Sequence, residues 1–268
     1  MKNKVIIVTG ASSGIGKALA FEAGRQGASL VLAARNESHL IEIVEKIKLF
    51  NPNVIYCVTD VSKESDCEMM VSKAIEKFGK IDVLINNAGI SMRALFLETN
   101  LSVMHRLMDV NFWGTVYSTK YALPHLLQTK GSIVGVSSTA GFIGLPGRTG
   151  YSASKFAMQG FLEALRIENI KNGLHVLMAF PGFTASNIRN TALNGDGKPQ
   201  GESPRNEDKM MTPEKVAISI LRGIKLRKRN LILTLEGKLL RQFNRIIPNR
   251  IDKSIYKVMS KEPDSPFK

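Results

Sequence analysis

Seven short apolar runs, separated by longer amphipathic stretches, constrain the fold of this chain more than any other feature. Alternation of this kind is typical of β-strands joined by helical crossovers in a mostly parallel sheet. Residues 5–8 and 30–32 are apolar throughout, as expected for strands covered on both faces. The predicted strands span residues 4–9, 29–34, 54–58, 82–86, 132–137, 175–180 and 231–235. The sequence therefore predicts a doubly wound α/β fold with a seven-stranded, mostly parallel sheet and helices on both faces.

The length of 268 residues suits one large α/β domain, and a second full domain would be cramped. We therefore expect a single domain over residues 1–268. Residues 183–211 are polar, rich in Gly, Pro and Asn, and without periodicity. Because long unstructured insertions in compact domains are often lids, we expect a substrate lid there, with a variable surface excursion as the alternative.

The composition excludes several other classes of protein. No apolar stretch approaches the roughly 18 residues of a membrane span, and the first apolar run is too short for a signal peptide. A cytoplasmic location is therefore expected. Cys57 and Cys67, the only cysteines, have no CxxC spacing, and the four histidines are scattered. We expect reduced thiols and no protein-bound metal.

Three glycines follow the first predicted strand and open the first predicted helix. Glycine permits a tight turn and lets the backbone approach a pyrophosphate, while the start of the helix presents free N–H groups and partial positive charge. The position of the turn, more than its TGxxxGxG spacing, is the context that a dinucleotide site requires. We predict such a site in a Rossmann-type fold, with close helix–strand packing as the alternative. Its residues are Gly10, Ser12, Ser13, Gly14, Ile15 and Gly16.

The end of the second predicted strand indicates which dinucleotide binds. An acidic residue there accepts a hydrogen bond from the ribose 2′-hydroxyl of NAD, whereas an arginine accommodates the 2′-phosphate of NADP. This chain has Ala34 where the acid would lie and Arg35 directly after it. NADP(H) is therefore the expected cofactor. The alternative is that Arg35 is a solvated surface charge.

Six motifs follow one another along the chain. They are TGASSGIG at 9–16, NNAG at 86–89, Asn111 in DVNFWG, the pair Ser137 and Ser138, YSASK at 151–155, and the Pro-Gly pair at 181–182. Together they span residues 9–182, nearly the whole predicted fold, and their order resembles that of the short-chain dehydrogenase/reductase family. The resemblance implies an enzyme that moves hydride between a nicotinamide and a carbonyl/alcohol pair.

The resemblance also implies a catalytic set of Asn111, Ser138, Tyr151 and Lys155. In this set Tyr151 exchanges a proton with the substrate oxygen, and Ser138 bonds the same oxygen and stabilises its developing charge. Lys155 bonds the nicotinamide ribose, and Asn111 holds a water that connects Lys155 to solvent. Ser137 competes with Ser138 for its role, but the spacing to Tyr151 favours Ser138.

Tyr151 and Lys155 are one helical turn apart, so their side chains share a face. A tyrosine has a pKa near ~10, and acid or base work near neutrality needs a pKa roughly three units lower. Neighbouring positive charge favours the phenolate. We therefore expect Lys155, together with a cationic nicotinamide, to lower the pKa of Tyr151.

Further cofactor contacts follow from the same resemblance. Asp60 and Val61 are expected at the adenine amino group, and Asn87, Ala88 and Gly89 on the adenosine side. Pro181 and Gly182 are expected against the nicotinamide face, and Thr184 and Ser186 at its carboxamide. Ser186 stands where the family pattern has threonine, which keeps the hydroxyl and loses a methyl. The alternatives are a helix N-cap for Asp60 and ordinary turn chemistry for residues 181–182.

Positive charge is concentrated near the end of the chain. Of the net charge of +14, residues 221–268 carry thirteen Lys and Arg against four Asp and Glu, which is +9. Over residues 236–268 apolar side chains recur at roughly helical spacing with cations between them, and Pro248 should divide this stretch into two helices. We expect a basic amphipathic tail that packs on the domain or a sister subunit, lies peripherally on an anionic membrane, or meets an acidic partner. No recognition motif indicates nucleic acid.

The sequence thus predicts an NADP(H)-dependent oxidoreductase acting on a small-molecule carbonyl or alcohol, with a hydrophobic ketone or aldehyde favoured. The resemblance implies a homodimer or homotetramer built through the helices around Asn111 and Tyr151, and Trp113 is expected to pack in the core. The alternatives are a 3-oxoacyl thioester reductase that receives an acidic acyl carrier protein, and a non-catalytic NADP(H)-sensing protein.

Overall fold

The computed structural model describes residues 1–185, 187–201, 210–262 and 265–267. Its strands are β1 Val5–Thr9, β2 Ser29–Ala34, β3 Val54–Val58, β4 Val83–Asn86, β5 Ser132–Val136, β6 His175–Phe180 and β7 Asn230–Ile232. They form one seven-stranded sheet in the order β3-β2-β1-β4-β5-β6-β7, and every neighbouring pair is parallel. This confirms the predicted doubly wound α/β fold.

Nine α-helices among the described residues connect or flank the strands. They are α1 Gly14–Arg25, α2 Glu37–Lys48, α3 Glu64–Phe78, α4 Leu101–Met108, α5 Gly114–Gln128, α6 Thr149–Glu168, α7 Pro213–Lys225, α8 Leu235–Ile246 and α9 Pro248–Met259. Helices α1, α2 and α7 cover one face of the sheet, and α3, α5 and α6 cover the other. Within the described residues, no helix is both long and apolar enough to cross a membrane.

Strand β1 shows why the apolar runs form a buried sheet. Successive side chains of a strand point to opposite faces. Ile6 and Val8 enter the hydrophobic cluster under α1, α2 and α7, whereas Ile7 enters the cluster under α3, α5 and α6. All five residues of β1 are buried, so both faces require side chains that tolerate burial.

The chain reverses its direction of winding between β1 and β4. Strand β1 pairs with β2 on one side and with β4 on the other, so that Ile7 lies opposite both Val31 and Leu84. The crossovers leave these strands toward opposite sides and open a crevice at their carboxyl ends, where ligands bind in doubly wound sheets. The glycine turn that follows β1 lies at this crevice.

The seventh strand is shorter than the sequence predicts. Strand β7 ends at Ile232, and residues 233–235 of the predicted strand lie outside it. The side-chain oxygen of Thr234 accepts a hydrogen bond from the backbone N–H of Gly237 and caps α8, so Leu235 begins a helix instead of ending a strand. Pro248 begins α9, where its fixed φ suits a first helical turn, and it separates α8 from α9 as the sequence predicts.

Candidate dinucleotide and catalytic site

A cavity of about 830 Å³ lies at the carboxyl edge of the sheet, beside the crevice between β1 and β4. The predicted site residues that line it are Gly10, Ser12, Ser13, Gly14, Ile15, Arg35, Asp60, Val61, Asn87, Ala88, Gly89, Ser138, Tyr151, Lys155, Pro181, Gly182 and Thr184. Gly16 and Asn111 pack against this lining from behind. Ser186 lies outside the described residues. The structure therefore brings residues from both halves of the chain to one cavity.

The three glycines of the turn serve two different purposes. Gly10 and Gly14 adopt positive φ angles of 65° and 51°, which residues with side chains rarely take. A Cβ on Gly16 would lie 2.1 Å from the carbonyl oxygen of Gly10 and 2.6 Å from Asn87 Nδ2. The first turn of α1 is therefore packed directly against the end of β1, and only glycine fits at position 16.

The start of α1 carries no compensating negative charge. Its first turn contains no acidic residue, and the side chain of its N-cap, Ser13, makes no capping hydrogen bond. Gly14 and Ile15 of this turn line the cavity, so its backbone N–H groups and the positive end of the helix dipole are available to an anion there. These residues fit the pyrophosphate of a dinucleotide.

Gly16→Ala is expected to lower the free energy of unfolding by about 2 kcal/mol and to abolish dinucleotide binding, because the added methyl group overlaps backbone atoms that cannot move away. Thermal unfolding and fluorescence titration with NADPH measure the two effects. Gly160→Ala in α6 is the matched control, since nothing lies within 4 Å of its added Cβ. Alanine is about 1 kcal/mol better than glycine inside a helix, so the control should stabilise and bind normally. Wild-type stability in Gly16→Ala would contradict the close packing.

Asn87 joins the glycine turn to the turn that follows β4. Its Nδ2 donates to the carbonyl oxygens of Thr9 at 2.9 Å and Gly10 at 3.2 Å. Thr9 Oγ1 accepts hydrogen bonds from the backbone N–H groups of Asn87 and Ala88, both at 3.0 Å. The predicted pyrophosphate turn and the predicted adenosine-side turn are therefore held together as one cradle.

The adenosine end of the cavity carries a cation directly after β2. Ala34 is the buried last residue of β2, and Arg35 is exposed and lines the cavity. Asp60 also lines the cavity, and its Oδ1 accepts hydrogen bonds from the backbone N–H and the hydroxyl of Ser62. The N-cap of α3 is Lys63, so Asp60 is not the helix N-cap that the alternative interpretation requires.

Lys155 is a buried cation on α6, with 3% of its surface exposed. Its Nζ donates to the carbonyl oxygen of Val136 at 3.0 Å and lies 5.8 Å from the centre of the Tyr151 ring. Burial lowers the pKa of this ammonium from 10.5 to about 8. Lys155 is therefore charged at neutral pH and loses its charge under mildly alkaline conditions.

The pKa of Tyr151 is raised, which differs from the sequence-based expectation. Burial of the phenol is the largest cause of the raised pKa, and the neighbouring hydroxyl of Ser138 and the charge of Arg148 offset it only in part. The ammonium of Lys155 donates to the carbonyl oxygen of Val136 and not to the phenol. The expected lowering of the Tyr151 pKa by Lys155 is therefore not seen in the chain without its cofactor. The phenol is protonated near neutral pH, as a proton donor must be.

Ser138 is the serine whose hydroxyl lies near enough to the phenol of Tyr151 to lower its pKa. Its Oγ also accepts from the backbone N–H of Ala140 at 3.2 Å and caps the short 3₁₀ turn Thr139–Gly141. Ser137 Oγ is buried, has no hydrogen-bond partner among the described residues, and packs against Gly141. Both serines line the cavity, Ser138 lies beside Tyr151, and its catalytic role in preference to Ser137 stays a prediction.

Asn111 is fully buried in a π-helical segment, Asp109–Trp113, between α4 and α5. Its Nδ2 donates to the carbonyl oxygen of Ile90 at 3.0 Å and to Ser154 Oγ at 2.9 Å, and its Oδ1 accepts from the backbone N–H of Ile90 at 2.8 Å. The side chain thus fastens the segment after β4 to α6. Both Nδ2 hydrogens are thereby used, so a water assigned to Asn111 would have to donate to one of its two carbonyl oxygens, Oδ1 or the backbone oxygen that also accepts from Thr115.

Three arginines that the sequence analysis did not single out, Arg106, Arg148 and Arg189, also line the cavity. Arg148 Nη1 donates to Ser91 Oγ at 3.2 Å and to the carbonyl oxygen of Met92 at 3.4 Å. Arg189 Nη1 donates to the carbonyl oxygen of Thr184 at 2.9 Å. Arg148 could have been found from the sequence, because it lies three residues before Tyr151. Arg189 could not, because it lies in a stretch without periodicity.

The described part of the predicted lid is attached to the site at several points. Thr184 pairs with Met211, and Leu193 pairs with both Met92 and Pro199, as isolated β-bridges. Ile188, Arg189 and Leu193 belong to the cavity lining. Residue 186 and residues 202–209 of the predicted lid lie outside the described part of the chain.

The chemistry available at the inner end of the cavity is that of a proton donor at an oxygen atom. Ser138 and Tyr151 place two hydroxyl groups side by side, and Lys155 places a buried positive charge behind them. Two convergent hydroxyls can hold a carbonyl oxygen and give it a proton as negative charge develops on it. Pro181 and Gly182 form the adjoining wall.

Sequence comparisons match this arrangement to one family. A family profile described as short chain dehydrogenase matches residues 4–196. The protein "11-beta-hydroxysteroid dehydrogenase-like 4A" of Arabidopsis thaliana is 43% identical over 195 residues, which are 72% of this chain and 65% of that protein. The protein "11-beta-hydroxysteroid dehydrogenase A" of Arachis hypogaea is 42% identical over 187 residues, 69% of this chain and 53% of that protein. The chain thus spans about half to two thirds of the length of these relatives.

Two solved structures share the fold over most of the chain. An alcohol dehydrogenase from the archaeon Thermococcus sibiricus, complexed with 5-hydroxy-NADP, has a TM-score of 0.76 and 28% identity, and the match covers 87% of this chain and 96% of that one. A short chain dehydrogenase/reductase from Burkholderia phymatum, in complex with NAD, has a TM-score of 0.80 and 25% identity, with 92% and 95% covered. One relative holds an NADP derivative and the other NAD, so the choice between them depends on this chain's own residues.

Proposed function

Because the chain belongs to the short-chain dehydrogenase family, whose members are oxidoreductases with nicotinamide cofactors, we propose that it is an NADP(H)-dependent enzyme acting on a carbonyl/alcohol pair. The observation that carries the proposal is the group formed by Ser138 with the buried Tyr151 and Lys155 in a cavity that also contains the glycine turn. Oxidation of NADPH in the presence of hydrophobic ketones and aldehydes is the direct test.

In the proposed mechanism, the bound nicotinamide supplies the hydride. Ser138 and Tyr151 hold the carbonyl oxygen of the substrate, and Tyr151 gives its proton to that oxygen during reduction. Ser138 stabilises the negative charge that develops on the oxygen, and the ammonium of Lys155 stabilises the phenolate that Tyr151 becomes. In oxidation, Tyr151 takes the proton back from the alcohol. Its raised pKa leaves the phenol in the protonated form that donates to the oxygen during reduction.

The choice of NADP(H) rests on the end of β2. Arg35 is exposed at the rim of the cavity, directly after the buried Ala34. A guanidinium group there suits a 2′-phosphate, and a neutral Ala34 offers no acceptor for a ribose 2′-hydroxyl.

Arg35→Ala is expected to weaken NADPH binding about 10- to 100-fold and to leave NADH binding within about twofold, because a hydrogen bond to a charged group contributes roughly 1.5–3 kcal/mol. Parallel fluorescence titrations with the two cofactors measure this. Arg25→Ala, which removes an exposed arginine from the far end of α1, is the matched control. Equal wild-type affinity for NADH and NADPH, or an Arg35→Ala protein that behaves like the control, would mean that Arg35 is only a surface charge.

The lining of the cavity supports a hydrophobic ketone or aldehyde as the substrate. Apolar side chains from the segment after β4, the π-helical segment, the loop before α6 and the predicted lid line the same cavity as Ser138 and Tyr151. They are Ile90, Val110, Leu145, Ile188 and Leu193. The names of the two curated relatives refer to hydroxysteroids, which are large apolar substrates.

Exposed apolar side chains on α5, α6 and the residues flanking them support the proposal of a homodimer or homotetramer. Trp113 is 43% exposed and stacks on Tyr117, so the expectation that it packs in the core is wrong. Phe156, Ile167 and Ile170 are also exposed. Burial of such side chains against a second copy would remove apolar surface from water.

A further inference from the structure

Four of the five large apolar side chains of helix α8 lie on the side that faces away from the molecule, and the fifth, Leu240, is partly buried. Leu235, Leu239, Phe243 and Ile246 are 72%, 44%, 45% and 69% exposed. At 100° per residue these four side chains fall within one stripe along the helix. Gly237 is the buried residue of α8. A surface helix of a globular protein normally turns such a stripe toward the core, so this stripe requires another partner.

Specific contacts hold α8 in this orientation. The guanidinium carbon of Arg241 lies 5.8 Å from the ring centre of Phe142 and 5.6 Å from that of Phe180, which places the cation against two core aromatic rings. A Cβ on Gly237 would lie 3.1 Å from the side chain of Ile232, so the helix approaches the sheet closely there. The inward side of α8 is therefore fixed by Arg241 and Gly237, and rotation of the helix to bury its apolar stripe would break both contacts.

Helix α9, which packs against α8, has the usual orientation and presents cations to the outside. Ile251 and Ile255 are partly buried and Met259 is buried, whereas Arg250, Lys253 and Lys257 are exposed. On α8, Lys238 and Arg245 are exposed beside the apolar stripe. The surface of α8 and α9 thus combines an exposed apolar stripe with five exposed cations against two exposed carboxylates, Glu236 and Asp252.

We propose that the surface formed by α8 and α9 docks on an anionic lipid bilayer. Amphipathic helices with apolar residues on one side and Lys or Arg beside them lie in the bilayer interface, where apolar burial and attraction to anionic headgroups act together. A second copy of the chain is a poorer occupant, because it would bring one set of cations against an identical set. The charge of the surface therefore selects the bilayer. The docking does not depend on which reaction the site catalyses.

The position of this surface links lipid binding to the site. A Cβ on Gly237 would lie 3.5 Å from the side chain of Thr139, which follows Ser138, and the side chain of Thr234 packs on Gly182. An apolar groove between the loop before α6 and α9 is lined by Leu145, Pro146, Ile255 and Tyr256, and Leu145 also lines the catalytic cavity. A bilayer that contacts α8 and α9 would therefore lie close to the wall of the catalytic cavity that Leu145 and Gly182 form.

Co-sedimentation of the full chain with vesicles tests the proposal. The probe vesicles contain phosphatidylcholine alone or phosphatidylcholine with about a third phosphatidylglycerol, at low and at high salt. The wild type is expected to sediment with the anionic vesicles at low salt, and much less at high salt or with neutral vesicles. A wild type that stays in the supernatant with anionic vesicles at low salt would overturn the proposal.

Two sets of variants separate the contributions of charge and apolar surface. Arg250→Gln/Lys253→Gln/Lys257→Gln should weaken binding about 100-fold, at about fivefold for each cation near the surface. Leu239→Ser/Phe243→Ser/Ile246→Ser should weaken binding by a similar factor. The matched controls, which should bind like the wild type, carry the same types of change at exposed positions elsewhere. They are Lys73→Gln/Lys77→Gln/Lys171→Gln and Ile41→Ser/Leu49→Ser/Leu226→Ser.

Light scattering on the same proteins identifies the competing occupant. The triple serine variant at positions 239, 243 and 246 is called the α8 variant, and the triple glutamine variant at positions 250, 253 and 257 is called the α9 variant. The proposal is supported if both variants lose vesicle binding and have the same mass and the same thermal unfolding as the wild type. A smaller mass for the α8 variant alone would show that the stripe is an interface between copies and overturn the proposal. Equal losses in the charge control and the α9 variant would also overturn it, because binding would then follow net charge and not this surface.

Discussion

Tyr151→Phe is expected to lower kcat for carbonyl reduction by about 10²–10⁴-fold, the usual contribution of a positioned proton donor, and to leave NADPH affinity within about twofold. The phenylalanine ring can occupy the same place in the apolar cluster that includes Met92, Ala140 and Leu193. Only the hydroxyl group beside Ser138 is lost. Single-turnover oxidation of NADPH and fluorescence titration of the cofactor measure the two quantities separately.

Tyr121→Phe is the matched control for this prediction. The Tyr121 hydroxyl donates to Glu64 at 2.9 Å on the surface, away from the cavity. Its removal should leave both kcat and cofactor affinity within about twofold. If Tyr151→Phe kept more than a tenth of the wild-type kcat, Tyr151 would not be the proton donor and the proposed mechanism would have to be withdrawn.

Lys155→Met is expected to inactivate the enzyme and at the same time to stabilise the fold at neutral pH. The fall from a pKa of 10.5 to about 8 corresponds to about 3 kcal/mol of unfavourable burial of the charged form, at about 1.4 kcal/mol for each pH unit. Loss of the hydrogen bond to the Val136 carbonyl costs about 1 kcal/mol. The expected net gain is about 2 kcal/mol, measured by urea unfolding, with kcat at least about 100-fold below wild type.

The pH dependence of this gain gives the prediction a second readout. Below pH 8 the ammonium is charged in both the folded and the unfolded chain, and the folded chain carries the full cost of burying it. Between about pH 8 and 10.5 the folded chain releases the proton and the unfolded chain keeps it, so the stability of the wild type rises with pH. The advantage of Lys155→Met should therefore be greatest below pH 8 and shrink above it.

Lys171→Met supplies the control, because Lys171 is exposed. It should change neither stability nor kcat beyond experimental error. A Lys155→Met protein that is less stable than the wild type at pH 7 would show that burial of the ammonium is compensated within the fold. A constant advantage between pH 7 and 10 would show that the charge is not its cause.

The sheet and the glycine turn were predictable because a single local rule decides each of them. A strand buried on both faces must be apolar at nearly every position, which is why residues 5–8 identify β1 from the sequence alone. The turn after β1 needs glycine for reasons that depend on its immediate neighbours, as the contact distances at Gly16 show. In both cases the information lies within a few residues of the feature.

Features that depend on the balance of several distant groups were not predictable in the same way. The sequence indicates that Tyr151 and Lys155 share a helix face, but the direction of the tyrosine pKa depends on burial of the phenol and on Arg148. The helical spacing in the tail indicates an amphipathic α8, but which side faces the protein depends on the rings of Phe142 and Phe180. Residues 231–235 form an apolar run that is equally compatible with a longer strand. The strand is shorter because Thr234 caps α8.

Met1 lies near the amino ends of the strands, and Phe267 lies near their carboxyl ends. This difference decides how the protein can be attached to a solid support. The backbone N–H of Asn3 donates to the carbonyl of Gly27, just before β2 begins, at the edge of the sheet opposite the cavity. At the other end, the ring of Phe267 is the nearest group to the position of a Cβ on Gly147, at 3.4 Å, in the loop that precedes Tyr151. A linker or fluorophore joined at Met1 would therefore leave the cavity and the surface of α8 and α9 open, whereas one joined beyond Phe267 would crowd the region where substrate and lipid are proposed to approach.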